Sequence, residues 1–435
     1  MTIQANERTA TSTSFPQVCR DHTGTYDYGW VAQLPVGSLT PNVFLFRQDV
    51  ASKTTQTFDL STIVNNPFNM PLQGDGHFTM CVISDAAGLV HVWGNLHADP
   101  LDGPGTQRHY GYTTWPPNTS SSWTFPAWSS LPYSTLSSNA HTYFQATRNP
   151  AGDLLLFNDQ EDQVNNYHRF WSLLKLPAGS TTWQYVDPAN PKLTSGVPGN
   201  TGGTAVPNTA NRVYSKATLV GTRMHITSMF ADVMEATSGF WRQEHTYMWA
   251  DPPYTTWRAA DGTPITLPLT WGNRTAALIS TRPDRSTEMA PQVAVDEQDR
   301  PYVTYNHVDA SGAQINADLW YQVYWNGTAW AVNHINSGTN PPGAGPSYPG
   351  CVWWGGQLWT QHNLTAANGD KVTGRFRLRN AANQIVNVGG DAAGHMTPYP
   401  DPIAVRDRAR PRFLVPDGNN PMVYEFMPPL AGRFS

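Results

Sequence analysis

One hairpin recurs along this chain, and a repeat of that kind constrains the fold more than any composition figure. Its form is an alternating strand, a turn rich in Asp and Gly, and a second strand ending in aromatic or polar residues. HFTMCVISDAAGLVHVWGNLH runs from His77 to His97, and HTYFQATRNPAGDLLLFNDQ from His141 to Gln160. Further copies are VYSKATLVGTRMHITSMF ending at Phe230, APQVAVDEQDRPYVTYNH ending at His307, YPGCVWWGGQLWTQHN ending at Asn363 and RPRFLVPDGNNPMVYEF ending at Phe426. The stretch from Tyr26 to Gln48 reads as another hairpin of this kind with a longer turn, which makes seven. Copies start roughly 55 to 80 residues apart, enough for a four-stranded unit with its loops. The expected fold is therefore all-β: a seven-bladed β-propeller forming one domain over residues 1–435, with 1–25 as an N-terminal extension that closes the ring.

Composition agrees with many short strands and tight turns. The chain has 35 Gly, 36 Pro and 17 Trp with only 14% charged residues, and no long stretch with a 3.6-residue period suggests a major helix. Segments around Trp183, Trp257 and Trp330 suit outer strands, each Trp packing between neighbouring blades. A pair of β-sandwiches would also give short strands at similar spacing, but not the same hairpin with the same turn chemistry repeated. Thr194 to Asn208, rich in Gly, Pro, Thr and Asn, reads as a long surface loop rather than a domain linker.

A formal net charge of -5 leaves no broad basic face, which argues against nucleic acid as the partner and favours a polar, mostly neutral ligand. Cys19, Cys81 and Cys351 show no CxxC or Cys/His spacing, so buried free thiols are expected in place of a zinc site or a disulfide framework. No apolar run approaches the roughly twenty residues of a membrane-spanning helix, and the start lacks the basic and apolar regions of a secretory leader. The expected setting is extracellular or virion-associated, without membrane insertion. No cofactor is called for, and metal content stays open. The acidic run NDQEDQ, from Asn158 to Gln163, reads as a solvated turn; it lacks the spaced Gly and bidentate Glu of a calcium loop.

Several of these hairpins resemble the bacterial-neuraminidase-repeat propeller family that includes ulvan lyases and related polysaccharide lyases. GDGHFTMCVISDAAGLVHVWGNLH looks like that family's Asp-x-His hairpin ending in a second His, and HTYFQATRNPAGDLLLF like the Thr-Tyr hairpin of the next blade. RMHITSMF, followed by HTYMWADPPYTTWRAADGTPITLPL, is similar to its His-containing strand, downstream His and Trp-x-x-x-Asp-Gly-x-Pro segment. Such lyases cleave a uronate polysaccharide by β-elimination, which needs a group to neutralise the carboxylate, one to take the neighbouring proton and one to protonate the leaving oxygen. By position, the resemblance implies His77, His97 and Tyr143 as the catalytic constellation, with His225 and His245 nearby in substrate binding. His91, on an alternating strand, reads as structural.

Departures from the pattern matter as much. Asp159 stands where the family tends to place an arginine, and Ala231 where another ends the His-containing strand. A lyase without a carboxylate neutraliser would lose electrostatic stabilisation worth several kcal/mol. Arg148, Arg169 or Arg242 are the candidate substitutes, and Arg242 is assigned to the substrate-binding set. Trp115 and Trp123 lie in a Trp-, Pro- and Ser-rich stretch between Tyr110 and Tyr133 that looks like an insertion over the channel mouth, where they would stack on sugar rings. These features point to a protein that recognises a polysaccharide or cell-surface glycan, such as a phage-tail type adhesin working beside other tail or virion proteins. The alternative is an active polysaccharide lyase. A sialidase-like hydrolase is weaker, since the aspartate boxes are degenerate in PAGSTTW and DPPYTTW and no arginine triad is evident.

Overall fold

In the computed structural model, the residues described are 18–33, 42–63, 68, 78–96, 110–127, 130–132, 140–162, 168–196, 212–235, 239–279, 292–306, 319–336, 351–362, 376–379, 385–388, 400–417 and 420–425. Their strands form seven antiparallel sheets taken in sequence order. Sheet 1 contains β1 (Val18–Arg20), β2 (Tyr26–Gln33), β3 (Asn42–Asp49) and β4 (Thr55–Asp59). Sheet 2 contains β5 (Phe78–Ser84), β6 (Val90–Leu96), β7 (Tyr110–Thr113) and β8 (Trp123–Thr124). Sheet 3 has β9 (Ala140–Arg148), β10 (Leu154–Asp162), β11 (His168–Leu176), β12 (Gln184–Tyr185) and the short β13 (Thr194–Ser195), which also pairs with β11. Sheet 4 has β14 (Arg212–Val220), β15 (Arg223–Glu235) and β16 (Gly239–Ala250). Sheet 5 runs β17 (Gln292–Val295), β18 (Pro301–Asn306), β19 (Leu319–Trp325), β20 (Trp330–Asn336), and sheet 6 runs β21 (Cys351–Trp354), β22 (Gln357–His362), β23 (Phe376–Arg379), β24 (Ile385–Val388). Sheet 7 is the hairpin β25 (Arg412–Asp417) and β26 (Asn420–Glu425), and the one α-helix among the described residues is α1 (Pro402–Arg406).

The repeating turn explains why the hairpin recurs. Asp85 Oδ1 accepts from the amides of Ala87 at 2.9 Å and Leu89 at 2.8 Å, and Asp296 Oδ1 accepts from Gln298 and Arg300, both at 2.9 Å. Asn149 Oδ1 takes the Asp153 amide at 2.9 Å, and Asp21 Oδ1 takes those of Thr25 at 2.9 Å and Tyr26 at 3.2 Å. A short acidic or amide side chain thus ties the turn internally, and the residue three positions on must adopt a left-handed backbone. Gly24, Gly88 and Gly152 do so at φ 75, 86 and 92, with Asp299 filling the place at φ 59. The N-terminal copy differs from the sequence reading. β2 and β3 do pair, but the equivalent turn is DHTGT, from Asp21 to Thr25, which follows the three-residue β1.

Sheets 2 to 5 are each packed between two neighbours, so their strands carry unbroken apolar runs where a one-faced sheet would alternate with polar residues. The run at Leu154–Phe157 shows the division: Leu154 and Leu156 enter one core, shared with sheets 1 and 2, while Leu155 and Phe157 enter a second, shared with sheet 4. First strands of consecutive sheets touch from β1 through β5, β9, β14 and β17 to β21, and β25 returns to lie beside β1. This is the stacking of a β-propeller. An inner strand has an open edge of backbone groups, and side chains of the preceding sheet satisfy it. Gln145 Nε2 donates to Ser215 O at 3.1 Å while its Oε1 accepts from the Ala217 amide at 2.9 Å, and Gln292 Oε1 accepts from the Cys351 amide at 3.0 Å. Cys19, Cys81 and Cys351 are buried free thiols, as expected.

The turn ends of the inner strands meet at one end of the stack, where Arg148 Nη1 donates to Ser84 O at 2.6 Å and Nη2 to Arg20 O at 3.4 Å. Segment 400–412 also binds at this end. Asp401 caps α1, accepts the Arg20 amide at 3.1 Å and the Arg412 guanidinium, and is fully buried. Arg406 donates to Arg148 O and accepts at its own carbonyl from Gly221, while Arg408 reaches Asp296 O. One short segment therefore ties together sheets 1, 3, 4 and 5.

Three expectations are corrected here. NDQEDQ is no solvated turn: Asn158, Asp159 and Gln160 are buried within β10, which runs on to Asp162. The stretch after Tyr110 is no insertion over a channel mouth, because it supplies β7 and β8, the outer strands of sheet 2. Thr194 and Ser195, expected to begin a surface loop, form β13 and are buried. Of the outer-strand tryptophans, Trp183 meets Trp93 of sheet 2 edge-on at 5.4 Å and Trp330 meets Tyr247 of sheet 4 at 5.6 Å, so both pack between sheets. Trp257 is buried in the second core but belongs to no strand.

Candidate functional site

The end of sheets 3 and 4 away from the turns carries the densest buried polar chemistry described. Tyr143 stands near the start of β9, where Gln145 pairs with Phe157 but Thr142 pairs with Asp159, so the strand bulges. Its φ of 55 is left-handed, a strained conformation for a residue with a bulky side chain. The bulge turns the Tyr143 ring onto Trp171 at 6.3 Å and against the edge of Tyr214 at 6.1 Å. Arg169, on β11, lies 5.6 Å from the Tyr143 ring centre and 5.0 Å from that of Tyr214. Its Nη1 is 3.4 Å from Asp159 Oδ2, with both side chains essentially inaccessible to solvent.

These neighbours set the protonation states. Burial pushes the Tyr143 hydroxyl well above the usual phenol range; nearby Asp159 acts the same way, and Arg169 opposes it. Tyr143 is therefore a neutral phenol, able to donate a hydrogen bond or a proton but poorly suited to remove one. The guanidinium beside it is already matched by a carboxylate. Asp159, standing where the resembling lyases tend to have an arginine, thus takes up the charge of the arginine that sits closest.

Sheet 4 continues this end. Tyr214 pairs with Met229 and Met229 with His245, so His245 lies on the same level, buried, two strands out from Tyr214. Glu244, the residue before it, sits on a second left-handed bulge with φ 53 and pairs with Arg274, which stacks on Trp271 at 3.3 Å. Beneath lies a chain of buried hydroxyls: Thr194 Oγ1 to Ser215 Oγ at 3.1 Å, and Ser215 Oγ to Ser228 Oγ at 2.7 Å.

Other predicted site residues fall elsewhere. His77 and His97 lie outside the described residues, as does the side chain of Arg242. His225 is at the turn end of sheet 4, paired with Thr218, and its Nδ1 shares a 2.7 Å hydrogen bond with the Tyr247 hydroxyl. Burial and the nearby Arg223 push its pKa down to about 3, so it is a neutral structural imidazole rather than a partner of Tyr143. His91 repeats the device in sheet 2, bonded to Tyr110 at 2.7 Å and to Asp85 at 3.2 Å. Trp123 is buried on the outer strand, stacked on Phe125 at 5.4 Å, and Trp115 packs at the turn end between sheets 1 and 2, so neither overhangs Tyr143. Arg148, at the turn end, is likewise far along β9 from Tyr143. Among the described residues no cluster of His, Cys, Asp or Glu has the arrangement of a metal site.

Sequence reasoning passed over Tyr214, Glu244 and Arg274. Tyr214 and Glu244 lie on strands and Arg274 in the short helical turn 271–277, and no local motif marks any of the three. Their grouping depends on the two bulges, which single-strand patterns do not reveal.

The profile of the BNR repeat-containing family matches residues 38–337, and the chain belongs to that family. No curated protein sequence matches it. Among solved structures, the polysaccharide lyase Uly1 superposes with a TM-score of 0.62 at 13% identity, over 95% of this chain and 89% of that one. An ulvan lyase from a new polysaccharide lyase family gives 0.60 at 14% identity, over 92% of this chain and 88% of that one. The same type of enzyme bound to an oligosaccharide of glucuronate and sulfated rhamnose gives 0.56 at 13% identity, over 91% and 89%. At such identities the similarity establishes the shared β-propeller fold.

Proposed function

We propose that this chain is a glycan-recognising β-propeller whose lyase-like end binds a polysaccharide without cleaving it, serving as a surface-recognition protein of the phage-tail adhesin type. The observation that carries this reading is the buried Asp159–Arg169 pair at 3.4 Å. β-Elimination builds negative charge on the uronate carboxylate and needs an uncommitted positive group to meet it. Here the cation beside Tyr143 already has its counter-charge, and the phenol stays protonated. Buried as they are, those groups would act by holding in place the end of sheets 3 and 4 that meets the glycan. That solved propellers of this fold include one bound to a glucuronate-containing oligosaccharide supports the choice of ligand class.

A second reading, active elimination on a uronate glycan, is favoured by one feature: Tyr143 is held on a strained backbone, as residues at reacting centres often are. In it, Tyr143 transfers a proton while His77 or His97 neutralises or orients the carboxylate. Incubation with a panel of uronate polysaccharides separates the two. Retention of the chain on a polysaccharide column with no new absorbance from unsaturated sugar supports binding alone; a rise that vanishes in His97→Ala and Tyr143→Phe establishes the lyase. Labelling of virions with an antibody against the chain tests the adhesin setting.

A further inference from the structure

Four arginines among the described residues lie over aromatic rings, and three of them are paired with a carboxylate: Arg169 with Asp159, Arg223 with Asp251, and Arg274 with Glu244. Arg47 is the exception within that set. It sits on β3 at the seam of sheets 1 and 2, its guanidinium carbon 4.1 Å from the Tyr26 ring centre and 4.9 Å from that of Trp115. Gln56 Oε1 accepts from Arg47 Nη2 at 2.8 Å and from Trp115 Nε1 at 2.9 Å, locking both planes. Edge contacts from Tyr28 at 5.4 Å and Phe58 at 5.1 Å fix the indole in turn. Asp49 is near enough to feel the charge, but its Oδ1 is engaged by the amides of Ala51 at 3.0 Å and Ser52 at 2.7 Å.

The geometry points to a second, anion-binding glycan site centred on Arg47, at the opposite end of the sheets from Tyr143. A planar guanidinium held between two rings by a neutral amide, with the Tyr28 hydroxyl as a further neutral partner, has no bonded carboxylate and keeps N–H groups in the fork that matches a carboxylate or sulfate oxyanion. Its half-buried position leaves that edge reachable, and Trp115 and Tyr26 offer apolar rims to the sugar carrying the anion. The oxyanion is a uronate carboxylate or a sulfate ester, both of which present paired oxygens. Only the identity of the ligand as a glycan rests on the proposed function; the site itself does not.

The test is affinity electrophoresis of the full chain through gels containing pectate, which carries carboxylates only, carrageenan, which carries sulfates only, or neutral galactomannan. The expected result is retardation by at least one acidic polymer and not by the neutral one, with the retarding gel identifying the anion. Arg47→Gln should weaken binding by about tenfold or more. Gln56→Glu leaves the stacked arginine in place and gives it an internal carboxylate, so it should lose binding by a similar factor while keeping the wild-type circular dichroism and melting temperature. Wild-type chain retarded by neither acidic polymer would overturn the site, as would Gln56→Glu binding like wild type. A loss confined to Tyr143→Phe would also overturn it, and leave the Tyr143 end as the sole glycan site.

Discussion

Replacing Asp159 by Asn tests the buried pair on which the functional reading turns. The substitution keeps the side-chain shape and removes only the charge. The Asp159 side chain is 0% and that of Arg169 1% exposed, so solvent cannot take over the role of the lost carboxylate. Removing one member of such a pair leaves an uncompensated buried charge and costs about 3–5 kcal/mol. Arg169→Gln in the same chain removes that charge, so the double variant should regain more than half of the loss. Chemical denaturation followed by circular dichroism, with all four members of the cycle measured at one pH, gives the coupling directly. Asp159→Asn within about 0.5 kcal/mol of wild type would refute the reasoning, as would losses that simply add in the double variant.

Three more outcomes follow from the fold. His225 has its pKa depressed to about 3, so the unfolded chain binds the extra proton first: stability should fall as pH drops from about 6.5 toward 3, by about 3 kcal/mol between pH 7 and pH 4, and His225→Gln should flatten that part of the pH profile. Gly111 on β7 has no room for a side chain, since a Cβ there would stand 2.6 Å from the Phe125 ring; Gly111→Ala should cost about 1–3 kcal/mol, read as a lower melting temperature. Asp401→Ala removes the acceptor that joins β1, α1 and Arg412, and should cost about 3–5 kcal/mol and expose the 400–412 segment to limited proteolysis before the rest of the chain.

The repeat was legible in the sequence because its determinants are local. An Asp or Asn that ties its own turn is visible within five residues and recurs at Asp21, Asp85, Asn149 and Asp296, with a Gly at the positive-φ place in the first three. β1 was not legible, because three residues, VCR, carry no periodicity; nor was α1, though Asp401 followed by Pro402 is the pattern of a helix start. The run from Asn158 reads as solvated when polar side chains are taken one by one, whereas Asn158, Asp159 and Gln160 are buried in a strand paired on both sides, with β9 and β11. Tyr143 could be proposed from its hairpin. Its pairing with Arg169 and Tyr214 could not, since those residues arrive from another strand and another sheet. Trp115 was recognised as an aromatic of interest, but its seat beside Arg47 is set by contact with sheet 1, fifty-nine residues earlier at Gln56.

The most direct measurement is ultraviolet absorbance of a glucuronate-containing polysaccharide incubated with the purified chain, with retention of the chain on the same polymer measured in parallel. A glycan-binding propeller with its Tyr143-side arginine already neutralised predicts retention and a flat absorbance trace. An absorbance that climbs with time and stops climbing in Tyr143→Phe would contradict it.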